Sequence, residues 1–529
     1  MKIALIQPVT GTESTKVVRV VREPLGLLYI ASAINDKAFC ADIKNTQYEA
    51  RIFHPIERVE PGAVIPWEDE VLISRVKDYK PDAIGISTMT YNYEKGIEIA
   101  KKIKESIGNV PVIFGGYHVS GCARQYSKWL NKPNNKIFLD DLENIFKMGY
   151  VDYIVIGEGE RTIIELLECI SNKGNLNNVA GIVYTSNGEI VVNRVQERLT
   201  DLDSLPIPDR SQLDWSKYKS SVKGDIVGTI HTMRGCRFAC SYCSTPTTWG
   251  AGVFKRSAKS VVDEIEYLVK NFTINRITFA DEDFTSDFDR INQICNEMKR
   301  RDIHIQWDSF ANMDDILKEG SEKVLKNMAD AGCASFFVGI ESLNMETLID
   351  YNRPKVKQYT IDEYLKRVQK TIDIVSAAGI DFYGDYMMGY PGETEAELRQ
   401  GFERLKSLRN MPYIYLPILN AFPGTRLYEK CKKKNWILEG KTFKDFDCSQ
   451  QLLKGKNGNV SELRDQFEIE FYTNNNYVED CMNRIKTVSG RLDQVFHLYT
   501  KLVSDYPGNE RLLSIKEKFE TFITSSAEL

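Results

Sequence analysis

Three cysteines in one short loop are the residues of this chain best suited to chemistry. Cys236, Cys240 and Cys243 are separated by three residues and then by two. Three thiolates so close together can hold three irons of a cubane iron–sulfur cluster and leave the fourth iron open to another ligand. A structural zinc site requires a fourth ligand nearby, and an electron-transfer cluster requires a fourth cysteine. The spacing favours a cluster that acts on a bound molecule, with a zinc loop or a set of inert thiols as the alternative.

This spacing, with the aromatic Tyr242 just before the last cysteine, resembles that of the radical S-adenosylmethionine (SAM) enzymes. The resemblance implies a [4Fe-4S] cluster on the three cysteines. It also implies that SAM chelates the open iron and is cleaved to a 5′-deoxyadenosyl radical. Tyr242 belongs to the expected cofactor-binding residues on the same ground.

The composition argues against several other classes of protein. A chain of 529 residues is expected to form two or three domains. A formal net charge of −5 gives no electrostatic sign of nucleic-acid binding, and no apolar run reaches the roughly 18 residues of a membrane span. The first residues lack the apolar core of a signal peptide, and eleven cysteines in so long a chain do not indicate a disulfide scaffold. We expect a cytoplasmic protein that contacts neither nucleic acid nor membrane.

Residues 1–195 alternate short apolar strands with helices, which predicts a doubly wound, parallel α/β sheet of the Rossmann-like type. Strands are expected near 2–7, 84–87, 110–114 and 153–156, and helices near 25–34, 93–106 and 161–171. Ligands of such sheets bind at the carboxyl ends of the strands. The candidate cofactor-binding residues in the loops at those ends are Pro8, Ser87, Thr88, Met89, Gly115, Gly116, His118, Gly157, Glu158 and Gly159.

These loops, in this order ahead of the cysteine motif, resemble the cobalamin-binding domain that precedes many radical SAM domains. The resemblance implies a bound cobalamin; a generic nucleotide-type fold, or a domain that has lost its cofactor, is the alternative. The chain lacks an Asp-x-His-x-x-Gly loop after the first strand, so no histidine from that loop would bind cobalt. The lower cobalt ligand therefore stays open. His118 is a candidate for it, and a role in holding its own loop is the alternative.

Six further strand–helix repeats follow a linker at residues 196–222. They span residues 223–445 and predict a partial (β/α)6 barrel, TIM-like, which is the usual radical SAM fold, with its site at the carboxyl ends of the strands. Strands are expected near 226–233, 276–280, 305–310, 335–340, 381–388 and 413–420. Residues 446–529 predict a small helical region.

Acidic residues follow two of these barrel strands. Asp281, Glu282 and Asp283 come after the second strand and are candidates for binding the SAM ammonium group. Glu341 comes after the fourth strand, where the resemblance implies that it orients SAM or a neighbouring arginine. The motif after the third strand lacks the arginine that the family often has there.

The fifth barrel strand is unusually polar for a buried strand. The alternation of side chains places Tyr383 and Asp385 on the same face. Both are candidates for catalytic contacts with the substrate, and a structural polar pair inside the barrel is the alternative.

The whole pattern resembles the cobalamin-dependent radical SAM methyltransferases. The resemblance implies methyl transfer to an unactivated carbon, or to a phosphinate phosphorus, of a small molecule or peptide. It also implies an external electron donor of the flavodoxin or ferredoxin type. A cyclase, oxidase or ring-contraction enzyme with the same cofactors is the main alternative. Less favoured are a non-catalytic cluster-binding protein and a methylthiotransferase of the tRNA type with a second cluster at Cys40, Cys122 and Cys169.

Overall fold

The computed structural model describes residues 1–10, 22–43, 47–60, 63–133, 135–218, 225–487 and 491–526. Two large sheets organise these residues. The first sheet contains strands between residues 2 and 192, and the second contains strands between residues 227 and 415. The predicted α/β fold class is confirmed.

The first sheet has seven strands in the order β2-β1-β5-β6-β7-β8-β9, and its first five positions are parallel. Helices α1 and α6 cover one face, while α2 to α5 cover the other, each over its own apolar core. In chain order the elements are β1 (Lys2–Ile6), α1 (Leu25–Asn35), β2 (Glu49–Phe53), β3 (Ile56–Glu60), β4 (Ala63–Pro66), α2 (Asp69–Tyr79), β5 (Ala83–Ser87), α3 (Tyr93–Ile107), β6 (Val112–Gly115), α4 (Tyr117–Trp129), α5 (Lys136–Lys147), β7 (Tyr153–Val155), α6 (Glu160–Ser171), β8 (Ile182–Ser186) and β9 (Glu189–Val192).

The hairpin of β8 and β9 departs from the expected parallel sheet. Strand β8 pairs antiparallel with β7, and β9 pairs antiparallel with β8. The turn consists of Asn187 and Gly188, with φ angles of 51° and 81°. Two positive φ angles at an Asn-Gly pair suit the tight turn of a two-residue hairpin. This hairpin adds two antiparallel strands to the sheet on the far side of β7.

The second sheet has six parallel strands in the order β10-β13-β14-β15-β16-β17, so the predicted partial barrel is present. The strands are β10 (Val227–Ile230), β11 (Met233–Arg234), β12 (Phe254–Lys255), β13 (Arg276–Phe279), β14 (Gln306–Ala311), β15 (Cys333–Glu341), β16 (Asp381–Tyr386) and β17 (Tyr413–Tyr415). The helices are α7 (Thr245–Trp249), α8 (Ala258–Asn271), α9 (Phe288–Arg300), α10 (Met313–Ile316), α11 (Ser321–Asp330), α12 (Met345–Asp350), α13 (Ile361–Ala377), α14 (Glu395–Lys406) and α15 (Arg426–Lys434).

The two faces of the barrel sheet differ in chemistry. On the outer face, side chains such as Trp307, Phe336 and Phe382 are buried in the core formed with the helices. On the inner face, strand register brings one polar residue from each of five neighbouring strands into a single layer. This inner polar layer consists of Thr229, Thr278, Asp308, Ser335 and Asp381.

A barrel that does not close has two free strand edges, and side chains satisfy both of them. At the β10 edge, the N–H of Thr229 donates to Glu23 (2.6 Å) and Arg210 donates to the Thr229 carbonyl (2.7 Å). At the β17 edge, the N–H of Ile414 donates to the Tyr472 hydroxyl (3.2 Å), which lies 3.3 Å from the Ile414 carbonyl. Buried backbone groups that lacked such partners would cost free energy.

Tyr472 belongs to the C-terminal helices, which pack beside β17. Tyr477 also reaches this edge, because its hydroxyl donates to the carbonyl of Pro412 (2.7 Å). None of the helices in the described ranges is both long and apolar enough to cross a membrane. The C-terminal helices are α16 (Val460–Tyr472), α17 (Asn475–Thr487), α18 (Arg491–Asp505) and α19 (Glu510–Ser526).

The first sheet region touches the barrel through helix α4 and the turn before α15. A Cβ atom on Gly121 would lie 2.2 Å from the Pro423 carbonyl oxygen. A Cβ atom on Gly424 would lie 2.8 Å from Gly121 Cα. Ion pairs surround this contact, including Lys432 with Asp141 at 2.8 Å. No side chain larger than hydrogen fits at either glycine without moving the backbone.

Arg210 connects the N-terminal region, the linker and the barrel. Its guanidinium binds Glu23 at 2.7 Å and Glu264 at 2.9 Å, and all three side chains are fully buried. Removing one member of a buried ionic network leaves uncompensated charge, which costs more than the network itself contributes.

We expect Arg210→Met to lower the free energy of unfolding by about 3–5 kcal/mol, because Glu23 and Glu264 would lose their shared partner. Urea unfolding followed by circular dichroism measures this. The control is Arg300→Met, whose side chain is 69% exposed and pairs with Glu297 on the helix surface. Equal urea midpoints for the two variants would contradict the role given to Arg210.

Candidate functional site

A cavity of about 510 Å³ lies at the carboxyl ends of β1, β5, β6 and β7. Both parts of the chain form its wall. From the first sheet come Pro8, Ser87, Met89, Gly115, Gly116, Gly157, Glu158 and Gly159, all of them expected there from the sequence. From the barrel side come His231, Arg234, Thr248 and Trp249, which flank the cysteine loop.

The cavity glycines serve two different purposes. At Gly115 an added Cβ would meet only the Val155 carbonyl oxygen, at 4.0 Å, so it would project into the cavity. At Gly157, where φ is 74°, it would lie 2.9 Å from the Thr248 carbonyl oxygen. Gly115 thus provides bare backbone for a broad ligand, whereas Gly157 is required by the approach of the barrel.

Of the candidate residues in the loops of the first sheet, Thr88 and His118 do not line the cavity. Thr88 is fully buried, and its hydroxyl donates to the Gly115 carbonyl (3.3 Å). His118 is buried with its ring stacked on Tyr93 (4.1 Å between centroids) and set edge-on to Phe443 (4.5 Å). This aromatic packing keeps the imidazole out of the cavity lining, and a contact between His118 and cobalt stays a prediction. Burial also lowers the pKa of His118 to about 3.

The three cysteines lie between β11 and α7, each of them half-buried. The N–H of Thr245 donates to Cys243 Sγ (3.5 Å), and Arg353 donates to Cys240 Sγ (3.8 Å). Burial raises the pKa of Cys236 to about 12, and Asp283 adds to the shift. Metal binding must therefore displace a proton from this thiol. In the described part of the chain, no three His, Cys, Asp or Glu side chains converge as ligands of one metal ion.

The acidic residues after β13 divide into three roles. Asp281 is fully buried and accepts hydrogen bonds from the N–H groups of Thr232 (2.6 Å) and Met233 (3.1 Å). Asp283 pairs with Arg237 of the cysteine loop (2.8 Å). Backbone donors bind Asp281 and an arginine pairs with Asp283, and the binding of the SAM ammonium by these two residues stays a prediction.

Glu282 is the residue of this acidic group that keeps binding capacity. One carboxylate oxygen accepts from Trp249 Nε1 (2.5 Å). The other is buried and finds no hydrogen-bond partner among the described residues. Burial raises the pKa of Glu282 to about 7. Because Trp249 lines the cavity, Glu282 lies between the cysteine loop and the cavity wall.

Glu341 binds an arginine, as expected, and that arginine is Arg353. Arg353 lies 3.1 Å from Glu341 and donates to the Gly339 carbonyl (3.2 Å) as well as to Cys240. Glu341 has a φ of 68°, at a shift in the register of β15 and β16. The sequence did not identify Arg353, which follows helix α12 in a segment without a recognisable motif. Tyr242 also belongs to this group: burial raises the pKa of its phenol well above the usual value, and nearby Glu341 raises it further.

Tyr383 and Asp385 share the inner face of the barrel. The Tyr383 ring stacks on Tyr413 with 4.2 Å between centroids. One Asp385 oxygen is buried without a hydrogen-bond partner in the described ranges. Burial raises the pKa of Asp385 well above its usual value, and nearby Glu341 raises it further. Their roles toward a substrate stay predictions.

Comparison with known proteins agrees with this arrangement. Residues 230–405 match the radical SAM superfamily, and residues 15–131 match the B12-binding domain. An uncharacterised methyltransferase of Pyrococcus horikoshii is 27% identical over 475 residues, which are 89% of this chain and 92% of that protein. An anaerobic magnesium-protoporphyrin IX monomethyl ester cyclase of Rubrivivax gelatinosus is 28% identical over 75% of this chain and 66% of its own length. The solved structure of the cobalamin-dependent radical SAM enzyme OxsB has the same fold, with a TM-score of 0.66, 18% identity, and coverage of 98% of this chain and 75% of OxsB.

The barrel and its cysteine loop define a radical SAM protein. Because a B12-binding domain precedes that barrel, the chain belongs to the cobalamin-binding radical SAM family. The cofactors of this family are a [4Fe-4S] cluster, SAM and cobalamin. The residues fit them: three thiols with hydrogen-bond donors beside them, a carboxylate with a free oxygen, and bare glycine backbone facing a large cavity.

We expect Arg353→Gln to weaken retention of the cluster by about 10-fold or more, because hydrogen bonds to metal ligands tune metal affinity. Loss of iron to a chelator after anaerobic reconstitution measures the effect. Arg404→Gln is the control, since Arg404 donates to the Leu343 carbonyl (2.9 Å) without touching a cysteine. Cluster retention that is equal in both variants would show that Arg353 does not support the cysteine loop.

Proposed function

We propose that the protein is a cobalamin-dependent radical SAM methyltransferase. Its substrate is a small molecule or peptide with an unactivated carbon, or a phosphinate phosphorus, that receives the methyl group. The relatives that support this proposal are methyltransferases by name, and they include a cytidylyl-2-hydroxyethylphosphonate methyltransferase and the methyltransferase TokK.

The observation that carries this proposal is the shared wall of the cavity. Gly115 and Gly157 belong to the first sheet, whereas Trp249 and Arg234 belong to the segment of the cysteine loop, and all four line one space. A reaction in which one site makes a substrate radical and the other provides the methyl group requires two sites that open toward each other. When bound, the cluster with SAM would supply the radical, and cobalamin would supply the methyl group.

The residues of the chain position these groups and hold charge around them. Arg234 pairs with Glu158 (3.1 Å) and Glu160 (2.5 Å), which joins the segment before the cysteines to the loop after β7. Arg237 fixes the other side of the cysteine loop on Asp283 (2.8 Å). Such pairs keep the spacing of the two sites constant, and positioning within about an ångström strongly affects rates.

Further parts of the proposal follow the family. Tyr383 and Asp385 are proposed to contact the substrate from the inner face of the barrel. An external flavodoxin- or ferredoxin-type donor would supply electrons, and the protein would act in the cytoplasm. We also propose the division into residues 1–195, 196–222, 223–445 and 446–529, which follows the two sheets and the C-terminal helices.

A second candidate keeps all three cofactors but transfers no methyl group. The 28% identity to a cyclase over 75% of this chain favours it. The mass of the product separates the two candidates. A gain of one CH2 unit per turnover supports methyl transfer, and a product that has only lost hydrogen supports the cyclase or oxidase reaction.

We expect anaerobically purified protein to show corrinoid absorption bands. With SAM and a strong reductant it should form both S-adenosylhomocysteine and 5′-deoxyadenosine. Cys243→Ala should abolish 5′-deoxyadenosine, because a cluster ligand is lost. Cys295→Ala, in a buried cysteine of α9, should leave it unchanged. Failure of the unaltered protein to form 5′-deoxyadenosine would refute the radical SAM activity.

A further inference from the structure

His54 is a histidine of the cavity wall with one ring nitrogen left free. It follows β2 and lines the cavity. Its Nδ1 atom lies 2.8 Å from the Tyr218 hydroxyl oxygen. Its Nε2 atom forms no hydrogen bond with any residue of the described ranges, and this atom is accessible rather than enclosed in the interior. A histidine that binds a metal typically has one ring nitrogen held by a hydrogen bond and the other nitrogen free.

Strand register places His54 beside the loop that follows β1. Strand β2 pairs with β1 up to Phe53 and Ile6, and the N–H of Gln7 donates to the Phe53 carbonyl (3.1 Å). His54 is therefore level with the start of that loop, and Gln7 also lines the cavity. The loop after β1 lacks the Asp-x-His-x-x-Gly motif whose histidine would bind cobalt. The neighbouring strand thus brings a histidine to the same side of the cavity.

The other four histidines are less suited to this position. His118 belongs to the first sheet region, but its Nε2 lies 3.7 Å from Cys122 Sγ and its Nδ1 is buried. His231 lines the cavity from the barrel, in the segment before the cysteine loop. His304 and His497 are exposed and do not line the cavity. None of these four presents a free nitrogen to the cavity from the first sheet.

Tyr218 holds the ring of His54 in place. Tyr218 is 3% exposed and packs on Trp215 with 5.5 Å between ring centroids. Its N–H donates to the Trp215 carbonyl (3.1 Å), and its own carbonyl accepts from the N–H of Val227 (3.3 Å), the first residue of β10. The barrel edge therefore fixes the hydroxyl that binds Nδ1. A partner on the far ring nitrogen sets the orientation of a metal-binding histidine.

We propose that His54 is the lower axial ligand of cobalt, bound through Nε2, and that Tyr218 is the residue that positions its ring. In this arrangement Nδ1–H donates to the Tyr218 oxygen, and the lone pair of the neutral Nε2 forms the coordinate bond. This bond replaces the one from the dimethylbenzimidazole base of cobalamin, so no electron is transferred. The inference deepens the proposed function and rests on it, because a ligand from the first sheet leaves the other face of the corrin free for the methyl group.

The test uses electron paramagnetic resonance of nitrogen-15-labelled protein, reconstituted with its cluster and with unlabelled cobalamin. Unbound cobalamin is removed, and the cobalt is reduced mildly to cob(II)alamin. We expect each cobalt hyperfine line to split into a doublet, the pattern of one nitrogen-15 ligand from the protein. A triplet would come from the nitrogen-14 of the cobalamin base, and unsplit lines would indicate an oxygen ligand or none. Either of these patterns would overturn the proposal.

Variants assign the doublet to one histidine. His54→Gln should lose it, whereas His118→Gln should keep it, as should His304→Gln, whose side chain is 85% exposed. Loss of the doublet in His118→Gln alone would overturn the proposal in favour of His118. If His54→Gln no longer retains cobalamin, unlabelled His54→Gly with nitrogen-15 imidazole replaces it. The doublet should then return from the free imidazole, and its absence would contradict a ligand at this position.

A further variant tests the positioning residue. We expect Tyr218→Phe to lower the affinity for cobalamin about 10-fold or more in equilibrium dialysis, because a hydrogen bond to a metal ligand is lost. Tyr184→Phe is the control, since its hydroxyl binds Asn177 (2.6 Å) outside the cavity wall. Equal affinities in the two variants would contradict the role of Tyr218.

The ligand and the reaction are read separately. Failure of methyl transfer is seen in the product mass and leaves the nitrogen doublet unchanged. An unaltered protein that binds no corrinoid would refute the cobalamin site, and the His54 ligand with it.

Discussion

The open side of the barrel is the constraint on which the rest of the structure depends. Six parallel strands do not close, so β10 and β17 each present unpaired backbone groups. Side chains from outside the barrel satisfy them: Glu23 and Arg210 on one edge, Tyr472 on the other. The segment before α1, the linker and the C-terminal helices are therefore structural parts of the barrel. The cavity lies beside the β10 edge because Glu23 brings the start of α1 there.

Ion pairs around the cysteine loop also connect separate parts of the fold. Carboxylates near the cysteine loop are mostly bound by arginines from a different strand or loop, as Asp283 is by Arg237 and Glu341 is by Arg353. These pairs fix the loop from both sides while burying the charges. Glu282 is the exception, since one of its oxygens has no partner among the described residues. Glu282 lies between the cysteine loop and the cavity, where a ligand is expected.

Local features of the fold were predictable from the sequence. Contacts between side chains that are distant in the sequence were not. The cysteine spacing, the order of the loops and the strand–helix repeats are local patterns, and they identified the fold class. Which of Asp281, Glu282 and Asp283 keeps a free oxygen depends on Thr232 and Arg237, which the fold brings from about 50 residues away. The packing of His118 is of the same kind, because Phe443 reaches it from a distant part of the chain. The β8–β9 hairpin also has a local signal, the Asn-Gly turn at Asn187 and Gly188.

The contact between Gly121 and Gly424 has a consequence for how the protein can work. Helix α4 meets the turn before α15 with no space for even a methyl group, and ion pairs surround the contact. Two surfaces that touch at backbone level cannot slide past each other without breaking the contact. A motion that separated the two walls of the cavity at this contact would therefore have to break both the backbone approach and the ion pairs around it.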